Sequence, residues 1–67
     1  MEKQIEPLSD LEKVREVMVT ERRRLASHMA DANMRSASAV DDLMVVQQRI
    51  EAIDRAIADE RSLLSEI

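Results

Sequence analysis

Asp31-Ala32-Asn33-Met34-Arg35-Ser36-Ala37-Ser38 is the stretch on which the fold turns. Long runs of good helix formers flank it, and the chain must either reverse here or continue as one helix. Asn33 is the best candidate for the left-handed residue that closes a helix, because asparagine tolerates positive φ better than most non-glycine residues. With Asn33 in that role, Met29 and Met34 fall at the two contacting positions of a Schellman motif. Ser38 followed by Asp41 then supplies a second helix start, with Asp41 and Asp42 favourably placed against the helix dipole. A reversal here pairs residues whose numbers add to about 71, such as Ala32 with Ala39, Leu25 with Val46 and Met18 with Ile53. Small residues then sit beside the turn, where two helices must converge, and larger ones farther out. The expectation is an all-α antiparallel helical hairpin, coiled-coil-like in its packing. The alternative is one continuous helix from Ser9 onward, about 90 Å long, with a structural coiled-coil role.

Outward from the turn, the apolar residues keep a period of seven. Leu11, Met18, Leu25, Ala32, Ala39, Val46 and Ile53 recur at that step, and Glu60 interrupts it before Ile67. In the second half Leu43, Val46, Ile50, Ile53, Ile57, Leu64 and Ile67 fall at alternating spacings of three and four, interrupted only by Glu60, which is a heptad seam. In the first half the intervening sites are mixed, Val14 fitting one frame and Leu8 and Met29 the next. Ser9-Asp10-Leu11-Glu12 has capping-box spacing. The expected organisation is therefore a flexible lead-in over 1–8 and a single hairpin domain over 9–67, with helices at 9–33 and 38–66 around a turn at 33–38.

Composition narrows the function. The 67 residues include no glycine, cysteine, phenylalanine, tyrosine or tryptophan, and Pro7 is the one proline. Phosphate-cradling loops and nucleophile elbows need glycine, thiolate zinc sites need cysteine, and base-stacking platforms need aromatics. No cofactor, metal or catalytic residue is expected, and the chain reads as a non-enzyme. The lack of cysteine points to a reducing, cytoplasmic setting. The longest apolar run, Leu43-Met44-Val45-Val46, is far too short to cross a bilayer, so no membrane partner is expected.

Several side chains nevertheless invite a functional reading. His28 and Glu21 lie seven residues apart beside the seam, but the Glu-x-x-His spacing of di-metal bundles is missing, and His28 reads as a boundary residue opposite Leu43. Arg22, Arg23 and Arg24 form a candidate basic patch on a chain with 10 basic and 14 acidic residues and a formal charge of −4. Consecutive helical residues diverge by about 100°, and this weakens a dimeric nucleic-acid regulator as an alternative. Glu21 or Arg22 should face Ile50, and Arg49 is a candidate partner for Glu21 across a dimer. Met29, Met34, Val40, Met44 and Val45 cluster by sequence near the turn and form a candidate partner patch.

One seam in so small a chain seldom yields more than about 3–5 kcal/mol. The expected remedy is association. Two hairpins would complete a four-helix bundle as a homodimer along Leu11, Met18, Leu25, Leu43, Val46, Ile50, Ile53, Ile57 and Leu64, or another protein's helix would cover that seam. The function expected is a small helical protein–protein interaction module, either a self-associating adaptor or a chaperone-like subunit for a partner's amphipathic helix.

Overall fold

The computed structural model describes residues 6–31 and 37–66, and in it the chain does reverse. Helix α1 spans Glu6–Ala30, helix α2 spans Ala37–Ser65, and the two pack against each other as an antiparallel hairpin. The continuous long helix is thereby excluded. The pair measures 52 × 17 × 12 Å, and its radius of gyration of 15.5 Å compares with about 11 Å for a compact globule of this length. It is a rod.

Helix ends differ from those the local motifs suggest. Leu8 and Ser9 are already helical, so Ser9 does not cap α1, and Pro7 occupies the first turn, where a missing N–H leaves no helical bond unmade. Glu6 lies in that same turn, a favourable site for an anion. Ser38 likewise lies inside α2, which has begun by Ala37. At the far end α1 stops at Ala30, where the Asp31 amide donates to the His28 carbonyl at 3.2 Å. Ala32, Asn33 and Met34, and with them the proposed Schellman contact, lie outside the described residues. No described residue has positive φ.

The register follows from three cross-helix contacts. Arg15 meets Asp54, Arg22 meets Gln47 and Arg61 meets Glu12, so that paired numbers add to 69, 69 and 73. The sequence pairing of about 71 lies between these values.

The core is short. Val19, Leu25, Val46 and Ile50 form one buried cluster with Met18 and Leu43 packed on it, and Ile57 is buried farther along α2. Ile50 is the deepest side chain at 2% exposure. Leu8, Leu11, Arg15, Met18, Arg22, Leu25 and Met29 are the seam positions of α1, all buried or half-buried, whereas Val14 of the competing frame is 44% exposed. Two of those seven positions are therefore arginine. Opposite them run Ala39, Leu43, Val46, Ile50, Ile53, Ile57, Glu60 and Leu64, also buried or half-buried.

Removing the Ile50 side chain beyond Cβ should cost about 2–4 kcal/mol, most of what such a core supplies. Urea titration followed by circular dichroism should show Ile50→Ala largely unfolded under conditions where Met44→Ala, altering a 55% exposed side chain, behaves as wild type.

Candidate interaction surface

The hairpin has two long flanks, and they differ. The first is formed by residues that follow the seam by one, Glu12 and Val19 on α1 and Gln47, Asp54 and Arg61 on α2. The cross-helix polar contacts of Arg15, Arg22 and Arg61 all cross this flank. Arg15 Nε donates to Asp54 Oδ1 at 2.5 Å, with a second, longer contact from Nη2 to Oδ2 at 3.5 Å. Arg22 Nη1 donates to Gln47 Oε1 at 3.2 Å, and Gln47 Nε2 donates in turn to Glu51 Oε2 at 3.2 Å. Arg61 Nη2 donates to Glu12 Oε2 at 3.3 Å. The two seam arginines lay their stems along the interface and deliver their head groups to this side.

Electrostatics there follow from the pairing. The hydrogen bond from Arg15, reinforced by the charges of Arg15 and Arg22, holds the Asp54 carboxyl below its ordinary range, and the same bond raises the Arg15 guanidinium. Both side chains are about half exposed, so the bridge orients the helices more than it stabilises them.

The second flank is formed by residues that precede the seam by one. On α1 these are Val14, Glu21 and His28, and on α2 they are Asp42, Arg49, Ala56 and Leu63. Here the helices part into an open groove whose floor is Met18, Leu25 and Val46 and whose walls are Val17, Glu21, Asp42, Val45 and Arg49. Val17 is 61% exposed, and Leu63, Val14 and Val45 are also exposed. Glu21 turns along its own helix to Arg24, which donates from Nε at 3.0 Å and from Nη2 at 2.5 Å. The Arg24 bond lowers the Glu21 carboxyl, and Asp42 adds to the raising of Arg24. Arg49 makes no ion pair among the described residues.

This arrangement redistributes the residues singled out from the sequence. Arg22, Arg23 and Arg24 do not share a surface: Arg22 is half-buried on Gln47, Arg24 is held by Glu21, and Arg23 is exposed on α1 away from both. The apolar residues near the turn do not make one patch either. Val40 and Met44, one turn apart, share a side of α2 from which Val45 turns by about 100° or more, Met29 is half-buried in the seam, and Met34 lies outside the described residues. Of that group only Val45 lines the groove. Sequence reading missed Val19, which is 9% exposed beside the seam, and the exposure of Val17, two residues away on the opposite side of α1. His28 is exposed, and no group of three or more potential metal ligands occurs among the described residues. No described helix is long and apolar enough to cross a membrane.

Comparison with known protein families, curated proteins and solved structures finds no match.

The flank bridges carry a pH signature of definite sign. A carboxylate whose folded-state pKa is depressed contributes stability that is present above its ordinary value and lost as pH falls through the depressed one. For Asp54 the loss therefore begins below 3.8, and for Glu21 below 4.5. Stability measured between pH 6 and pH 2 should fall on the acid side, and Asp54→Asn should flatten the part below 3.8.

Proposed function

We propose that this chain is a small helical protein–protein interaction module that works as a self-associated hairpin. The single observation that carries the reading is the open flank: apolar side chains line a groove along a hairpin whose own core is five buried residues. Val17, Met18, Leu25, Val45 and Val46 line this groove with Glu21, Asp42 and Arg49 around them, an apolar centre with a polar rim that supports reading it as a contact surface. The accessible surface supports the reading, since 5041 Å² exceeds the about 4300 Å² of a compact protein of this mass by roughly 700 Å². A standard interface covers about 800 Å² per partner. One copy of the hairpin thus exposes about as much surplus area as one dimer interface covers.

In this reading two hairpins complete a four-helix bundle, and the bundle acts as an adaptor in the cytoplasm, binding rather than catalysing. The charge pattern adds support. Glu21, Asp42 and Arg49 bring both signs to the groove, which suits a protein partner better than a polyanion.

Sedimentation of the wild type and of Val45→Glu across micromolar concentrations tests the proposal. The wild type should approach twice its 7.7 kDa mass as concentration rises, while Val45→Glu, burying a charge in the contact, should remain near the monomer mass. A wild type that keeps the monomer mass throughout would refute self-association.

A further inference from the structure

We infer that the groove flank is covered by the same flank of a second copy, with the two-fold axis running along the length of the hairpin. The inference rests on the self-association proposed above and adds the face and the orientation. Arginine bridges span the other flank within one chain, whereas the groove side leaves Val14, Val17, Val45 and Leu63 exposed without such bridges among the described residues.

Charge decides the orientation. A lengthwise two-fold lays α1 of one hairpin over α2 of the other at an unchanged level. With the observed register, Val14 then stands opposite Ala56, Glu21 opposite Arg49 and His28 opposite Asp42, and each pair occurs twice. Apolar meets apolar, and acid meets base. A two-fold across the hairpin instead lays α1 over α1 and α2 over α2. In the registers of that arrangement that overlap most of the hairpin's length, these flank columns bring Glu21 onto itself or onto Val14, and Arg49 onto itself or onto Ala56, matches that are like-charged or leave a charge facing an apolar side chain and so cost specificity and affinity. The register that sets Glu21 on His28 and Arg49 on Asp42 overlaps only the half of the hairpin nearest the turn, so it covers less of the groove flank. Within one hairpin Glu21 is turned to Arg24, and Arg49 is left without an ion pair among the described residues. A second copy gives Arg49 its counterpart.

The test exploits a property that only an intermolecular contact has. Sedimentation equilibrium is run on wild type, on Glu21→Arg, on Arg49→Glu, and on an equimolar mixture of the two variants, with helicity followed in parallel. Each variant alone should dimerise roughly tenfold or more weakly than wild type, because both reciprocal contacts become like-charged. In the mixture one chain carries two positive groups at these sites and the other two negative ones. Mixing should therefore restore dimerisation to within about threefold of wild type and recover any lost helicity. No rearrangement inside a single chain gives that result. A dimeric wild type with a mixture no tighter than the separate variants would overturn this face and orientation while leaving self-association standing. A wild type that is monomeric at about 100 μM would overturn the proposed function and this inference together.

Discussion

A two-helix rod has one seam, and in this chain α1 gives two of that seam's positions, Arg15 and Arg22, to arginine. The rest of the structure follows from that constraint. The guanidinium groups cannot stay between the helices without losing water, so their stems lie along the interface and the heads emerge on one side. There they meet Asp54 and Gln47, and Glu12 with Arg61 extends the same row. Among the described residues, the side chains left buried are Val19, Leu25, Val46, Ile50 and Ile57.

The consequence is a hairpin with two unlike sides. On one, polar bridges span the helices and fix their register. On the other, an open groove lies between them, and Val17 and Val45 are left at the surface. Bridges between half-exposed groups contribute little stability, but they are directional, and like charges placed opposite one another oppose slippage. Apolar contact is strong but undirected. One flank sets the geometry of the hairpin, and the other is the surface on which the proposed association rests.

Much of this was legible in the residues. The reversal near Asn33, the register and the heptad seam of α2 follow from spacing alone, because Leu43, Val46, Ile50, Ile53 and Ile57 leave one frame to choose. The frame of α1 was ambiguous because Val14 is apolar and Arg15 is charged, yet Arg15 takes the seam and Val14 faces solvent. Hydropathy scores an arginine by its head group, whereas here the aliphatic stem does the packing. Helix ends were misread for a different reason: Ser9 and Ser38 each begin a capping-type spacing, but both helices begin earlier. A local capping signal names a possible end and yields wherever continued helix is better packed. The inequality of the flanks was not legible, since it depends on which way two long side chains lean.

The proposed self-association links the folded hairpin to its assembly, and the melting temperature followed over a hundredfold range of concentration tests that link most directly. Coupling predicts a Tm that climbs steadily with protein concentration, as mass action requires when the folded state is an assembly. A Tm that stays fixed across that range, with full helicity at the dilute end, would mean that the single seam suffices and would contradict the account.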